Sequence, residues 1–247
     1  MIHHTRAKAF SPLPGDPWGE KAYYAALAQR PKNAVRDHLE ALRVSTKATK
    51  WFRKQRELNV LNVTAENVVA ALNRAGIRPV LMGTHGLVGY RSESRATDDV
   101  DVLVTKREVR KAIRVLEEAF PYLEIVDMPQ VARFLNPVSQ KVVLDVMKPT
   151  SRAVQIVFRN MIPVGDSHRI PTLEMALVSK FVAMHAPNRK RTKKLVDQAD
   201  FEDVIYNNRQ ILDLEKLKRL ADQAIPNGGA AILQLIKDID AGRQIKL

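Results

Sequence analysis

"LMGTHGLVGYRSESRATDDVDVLV", residues 81–104, is the stretch on which the reading of this chain turns. It begins at the end of a short apolar run, passes Gly83-Thr84, and ends on three aspartates within four positions that lead directly into valines and a leucine. The pattern predicts a strand, a glycine turn opening a short helix, and a second strand. Side chains alternate faces along a strand, so Asp99 and Asp101 point the same way, roughly 6.6 Å apart at about 3.3 Å per residue. Asp98 points elsewhere or sits in the turn. Two carboxylates on one face repel unless a cation or proton lies between them, and hard oxygen ligands suit Mg²⁺ or Mn²⁺. A polar turn leading into a strand is the alternative. What favours the metal is the preceding glycine turn: backbone N–H groups freed at a helix opening commonly hold phosphate.

A third carboxylate is expected on a neighbouring strand. "KVVLDVM" (141–147) places Asp145 among Val142, Val143, Leu144, Val146 and Met147, where an ionised group is expensive unless paired or coordinated. The alternatives are an edge aspartate facing water or one paired with an arginine, and Glu124 in "YLEIV" is a weaker competitor.

The crowded acids stand out because the chain is basic. Its 247 residues carry 40 Lys plus Arg against 27 Asp plus Glu, a formal net charge of +13, which implies attraction for polyanions. Between Arg30 and Glu57 lie nine basic residues against Asp37, Glu40 and Glu57, with Trp51 and Phe52 among them. "NRKRTKK" (188–194) adds five basic residues in seven. Either cluster alone could be a solvated helix face; together they favour a surface that meets a phosphate backbone. The 45% hydrophobic content suffices for a full core. No run reaches the roughly 18 apolar residues of a membrane span, "MIHHTRAKAF" lacks a secretory apolar region, and there is no cysteine. A soluble, cytoplasmic protein with no membrane partner is expected, without disulfides or thiolate metal sites. His185 and His168 lack a second ligand at zinc spacing.

Along the chain, residues 1–16 read as an arm, a helix is predicted from Pro17, and two more near 33–45 and 47–60. "NVTAENVVAALNRAGI" predicts a helix with Thr64 as N-cap, Val68, Val69, Ala71 and Leu72 on one face and Gly76 as stop. Strands are predicted at 78–83, 99–104, 122–126, 132–136 and 141–147, with an amphipathic helix at 107–120. From 170 onward the pattern is helical, opened by Thr172, with "PNGG" (226–229) separating the last two helices. The fold class is therefore α+β: a small mixed sheet with helices mainly on one side, a C-terminal helical bundle and a helical N-terminal extension.

Gly83-Thr84, the spacing to Asp99-Val100-Asp101, the Arg95-x-Thr97 lead-in and the later Asp145 together resemble the DNA polymerase β-type nucleotidyltransferase superfamily. "IPTLEMALVSKFVAMHAPNRKRTKKLVDQADFEDVI" further resembles the AbiE-type toxin nucleotidyltransferases, in which Lys180 matches a helix lysine and Asp197 and Asp200 a D-x-x-D helix. The resemblance spans roughly residues 65–206; Thr84 departs from the usual Gly or Ser, and the loop from Gly83 to Asp99 is about one residue longer. It leaves both ends unexplained; taken with the charge and pattern along the chain, the expected division is a basic, mainly helical extension over 1–62, a nucleotidyltransferase catalytic domain over 63–169 and a helical domain over 170–247. The resemblance implies two divalent ions held by Asp99, Asp101 and Asp145, with the triphosphate of an NTP gripped by Gly83 and Thr84. Arg95 and Thr97 would orient the carboxylate strand or nucleotide, and Lys180 would offset leaving-group charge. Without the resemblance, Lys180 reads as a lysine stem on an apolar face, and Asp197 and Asp200 as partners of Lys180, Lys193 or Lys194; His85 reads as capping the turn, with contact to nucleotide as the alternative.

The implied activity is transfer of a nucleoside monophosphate from NTP, ATP among them, to an acceptor hydroxyl, RNA of tRNA type being the favoured acceptor. A toxin role with an antitoxin protein as partner would follow from the AbiE likeness. The alternatives are modification of a small molecule or protein, and a catalytically silent module that binds RNA or a partner.

Overall fold

The computed structural model describes residues 34–55, 60 and 62–243; the helix expected from Pro17 lies outside them. The first described element, α1 (Ala34–Gln55), is one continuous helix and not the two expected over 33–45 and 47–60. At the expected gap stand Ser45, Thr46 and Thr49, whose hydroxyls ordinarily compete with helical hydrogen bonds. Here those hydroxyls are taken up by tertiary partners. Ser45 Oγ donates to the Arg95 carbonyl at 2.7 Å, Thr46 Oγ1 donates to Glu66 at 2.7 Å, and Thr49 Oγ1 accepts from the Thr97 amide at 3.2 Å.

After α2 (Ala65–Arg74), capped by the Thr64 side chain as expected and stopped at Gly76 with φ +73°, the chain enters a seven-stranded sheet. Its strands are β1 (Val80–Leu81), β2 (Val100–Leu103), β3 (Glu124–Asp127), β4 (Val131–Leu135), β5 (Val142–Met147), β6 (Met161–Val164) and β7 (His168–Pro171). The order is β3-β4-β5-β2-β1-β7-β6, with β2/β5 and β1/β7 parallel and the remaining pairs antiparallel. The short α3 (Gly83–Leu87) follows β1, α4 (Val109–Ala119) follows β2, and α5 (Arg152–Gln155) follows β5. The last four helices are α6 (Leu173–His185), α7 (Arg191–Asn208), α8 (Leu214–Ala224) and α9 (Gly228–Asp240).

The β6–β7 hairpin is an element the sequence pattern does not announce. Pro163 and Pro171 dilute the strand signal, and β6 accepts a proline because it is the edge of the sheet. Gly165 at φ +52° supplies the turn. Since β7 runs to Pro171, the expected boundary at 169/170 falls inside a strand.

Helices cover both faces at the centre of the sheet, in contrast to the expected one-sided arrangement. Alternation sends Leu81, Val100 and Val102 into one core with α2 and α4, and sends Val80 and Leu103 into a second core with α6 to α9. Asp101, between Val100 and Val102, therefore points to the α6 side. Helix α6 runs through this second core, with Leu173, Met175, Ala176, Leu177, Val178, Phe181 and Met184 all buried, the pattern of a helix covered all round.

A histidine pair joins α1 to β7. His38 and His168, both buried, hydrogen-bond through their Nε2 atoms at 2.9 Å, and Ser167 Oγ lies 2.7 Å from His168 Nδ1. Burial pushes His38 down to about 3 and His168 to about 4, helped at His38 by the neighbouring His168 and at His168 by Arg78. Both stay neutral in the folded protein at pH values where the unfolded chain, at about 6.5, binds protons. Their contribution to stability is thus complete above pH 6.5 and lost as the pH falls towards 4. Urea unfolding between pH 8 and 4.5 is expected to show that loss, and His38→Gln to flatten its acid slope by up to about 1.4 kcal/mol per pH unit; an unchanged slope would contradict the assignment.

Candidate functional site

The site is built where β1, β2 and β5 run side by side. Parallel pairing puts Asp101 of β2 opposite Asp145 of β5, and antiparallel pairing puts Arg133 of β4 opposite Asp145. These three side chains form a row across one face of the sheet, on strands about 4.8 Å apart. Asp99 stands just before β2, its Oδ1 accepting a hydrogen bond from Thr97 Oγ1 at 3.0 Å.

Gly83 closes over this row. Its φ is +55°, and a Cβ added there would lie 2.0 Å from Asp101 Oδ2, so only glycine leaves room for the carboxylate. The Met82 amide donates to the Asp101 carbonyl at 2.9 Å, which fixes the opening of α3 to the carboxylate strand. A Cβ at Gly86 would meet the Leu81 carbonyl at 2.6 Å, so this second glycine lets α3 lie directly on β1.

The electrostatics of the row are unfavourable to its own charge. Burial raises Asp101 well above the usual carboxylate range, with Asp99 and then Asp145 adding to it and Lys180 opposing. Burial likewise raises Asp145 to about 6, against the pull of Arg133, whose Nε is 3.7 Å from Asp145 Oδ1. Asp145 Oδ1 is buried and makes no hydrogen bond.

Facing the acids is a network organised by α6 and α7. Asp197 and Asp200, each 2% exposed, receive the Lys180 ammonium at 2.9 and 2.7 Å. Arg189 pairs with Asp197; Arg91 and Arg95 pair with Asp200, and Arg91 reaches Asp203 at 3.4 Å. Arg95 also donates to Thr84 Oγ1 at 3.0 Å, tying α3 to the network. Of the lysines expected to pair with Asp197 and Asp200, it is Lys180 that does so, as a buried ammonium and not as a stem reaching to solvent. Burial lowers the Lys180 ammonium from the usual lysine range, with Asp197 acting against it.

All eight residues singled out in the sequence line two adjoining cavities. The larger, ≈ 780 Å³, holds Gly83, Asp99, Asp101, Asp145 and Lys180 with Arg133, Lys141, Arg189, Lys190 and Lys193. The smaller, ≈ 390 Å³, shares Gly83, Asp99, Asp101 and Lys180 and adds Thr84, Arg95, Thr97 and Phe52. Glu124 is remote from both, paired with Gln140 at the outer strand. His85 is buried within α3, and burial lowers it to about 4; it is not the cap of the turn. Arg91, Arg133 and Arg189 are functional candidates that sequence reasoning did not single out; for Arg189 the signal was the 188–194 cluster.

Hard carboxylate oxygens, on two paired strands and including a buried one that makes no hydrogen bond, are a donor set suited to Mg²⁺ or Mn²⁺. Among the described residues, no three His, Asp or Glu side chains already stand as a metal-holding group.

No protein-family profile matches the chain, and no curated protein matches it. One similar solved structure is that of ANT(2″)-Ia in complex with adenylyl-2″-tobramycin. It aligns over 69% of this chain and 95% of that one, with a TM-score of 0.42 and 14% identity. Among the described residues, no helix is long and apolar enough to cross a membrane.

A carboxylate row that opposes its own ionisation stores strain that function would use. At pH 7.5 without divalent ions, Asp101→Asn is expected to raise the melting temperature by about 2–4 °C, the shift that 1 kcal/mol gives in a chain of this size. A lower melting temperature would show that the Asp101 carboxylate supports the fold.

Proposed function

We propose that the chain is a nucleotidyltransferase that moves a nucleoside monophosphate from NTP to an acceptor hydroxyl, with RNA of tRNA type as acceptor. The observation that carries this reading is the in-register pair Asp101 and Asp145, with Asp99 beside it and Gly83 closed over it. Asp99, Asp101 and Asp145 would hold Mg²⁺ or Mn²⁺, which in this chemistry neutralises triphosphate oxygens and acidifies the attacking hydroxyl. Asp145, whose Oδ1 makes no hydrogen bond and stands 3.7 Å from Arg133 Nε, is suited to take the hydroxyl proton as the acceptor oxygen bonds to the α-phosphorus. The bond from that phosphorus to the bridging oxygen breaks, and pyrophosphate leaves.

The charge on pyrophosphate is met by side chains already on the cavity walls. Lys180 and Arg189 line both cavities and Lys193 stands with them; Thr84 and Arg95 are joined on the wall of the smaller one. Thr97 keeps Asp99 turned towards the shared floor. Lys141, Lys190 and Lys193 on the wall of the larger cavity disfavour a small cationic acceptor and suit a phosphate-bearing one. A role as the toxin of a toxin–antitoxin or phage-defence pair, restrained by an antitoxin protein, rests on the resemblance of residues 65–206 alone.

A second reading is a catalytically silent module that binds RNA, favoured by the absence of a ready metal-holding group among the described residues. Incubation with total RNA, each α-labelled NTP and Mg²⁺ separates the two. Label is expected in RNA with the wild-type chain and is expected to fall by roughly a hundredfold or more in Asp101→Ala and Asp145→Ala. If no NTP labels RNA or protein while RNA is still bound, the silent module is correct. Label entering only protein or a small molecule would move the acceptor.

A further inference from the structure

Helix α1 has two faces with different work. The inner one is bonded to the segment that leads into the carboxylates: Ala41, Ser45, Thr49 and Arg53, one turn apart, meet Ser94, Arg95, Thr97 and Asp98. Arg53, 1% exposed, donates to the Asp98 carbonyl at 2.7 Å and to those of Val60 and Val63 at 3.0 and 2.6 Å.

The outer face is cationic. Arg43, Lys47, Lys50 and Lys54 follow an i, i+4, i+7, i+11 spacing, all four exposed, along about 16 Å of helix. None of the four has a hydrogen bond or ion pair among the described residues. The acids of the helix, Asp37 and Glu40, lie in its first two turns. Beside the lysines stands Trp51, 65% exposed, an unusual position for the largest aromatic side chain. Lys50, Trp51 and Lys54 border a recess of ≈ 400 Å³ lined on the other side by Asn62 and Asn67, which are held in place by hydrogen bonds from Asn67 Nδ2 to the Asn62 carbonyl and from Tyr122 to Asn62 Oδ1. The next residue, Phe52, lines the smaller active-site cavity.

We infer that the outer face of α1 is a binding track for single-stranded nucleic acid, with Trp51 as the stacking platform and Lys47, Lys50 and Lys54 as phosphate contacts. Unpaired cations spaced along a helix bind a backbone without reading sequence. An exposed indole beside them takes the π-face of any base, which a duplex keeps buried in its stack. A folded acidic protein would need no stacking platform, and a membrane would need a broader apolar flank than Trp51 and Val44, the latter 53% exposed two turns before it. The track rests on the proposed function only in naming the strand as the acceptor; binding itself does not depend on catalysis.

The test uses the full chain and a fluorescein-labelled 20-nucleotide strand, as RNA and as DNA, with the matching duplex, followed by anisotropy across a salt series. Lys47→Glu/Lys50→Glu/Lys54→Glu is expected to weaken strand binding at least tenfold and to reduce the log–log salt slope by about 2, at roughly 0.7 per lost single-strand phosphate contact. Trp51→Ala is expected to weaken the single strand by about fivefold or more and leave the duplex unchanged, with Trp51→Phe restoring most of the loss. Lys111→Glu/Arg114→Glu on α4 serves as the charge control and is expected to have little effect. The RNA and DNA arms identify which strand is preferred. The track is refuted if the triple variant binds both strands within twofold of wild type, if the α4 control weakens them equally, or if the α1 changes abolish binding to phosphatidylserine vesicles and not to strands. Asp101→Ala separates the two readings: strand binding kept with labelling lost supports both, whereas binding kept with no labelling in any chain removes the proposed activity and leaves the track.

Discussion

The arrangement depends on the parallel register of β2 against β5. One residue of slip would send Asp101 into the α2–α4 core and leave Asp145 beside a valine. The register is fixed by apolar residues on the opposite face, Val100, Val102, Leu144 and Val146, each at most 1% exposed. Hydrophobic burial on one side of the sheet thus compels two like charges to stand together on the other. The surroundings answer that repulsion with glycine where a side chain would collide, with Arg133 at the outer flank and with Lys180 across the cavity.

The counter-charge is held at a distance by design of the helices. Lys180, Arg189 and Arg95 share cavity walls with Asp99 and Asp101, yet in this arrangement each is paired instead with the carboxylates Asp197 and Asp200. Buried ion networks contribute little net stability, since desolvation offsets attraction. Their effect here is positional: cations stay poised on a wall that also contains the acids, so each cavity carries both signs of charge without their neutralising one another.

The local parts of this site were legible and the distant ones were not. Asp99 and Asp101, the Gly83 opening, the Thr64 and Thr172 caps and the apolar setting of Asp145 are written within a few neighbouring residues. The period of a strand and the needs of a helix end are properties of such short windows. The pairing of Asp101 with Asp145 spans 44 positions and that of Arg91 with Asp200 spans 109, and no local pattern encodes either. The single helix α1 was hidden for the same reason, since the partners that satisfy Ser45 and Thr49 lie in residues 95–97. The β6–β7 hairpin was obscured by its prolines, which are tolerable only because of a strand position that the sequence does not reveal.

Arg53 gives the molecule a kind of indivisibility. Its guanidinium joins α1, the turn after it and the backbone entering the acidic strand, so three pieces of chain share one buried charge. A fragment starting at residue 63 would retain every acid and glycine of the cavities and yet lose the donor to Asp98 and the hydroxyls meeting Arg95 and Thr97. Sequence that lies outside a recognisable motif can therefore be part of its alignment. Replacing α1 with an unrelated helix would unpin the backbone that carries the carboxylates.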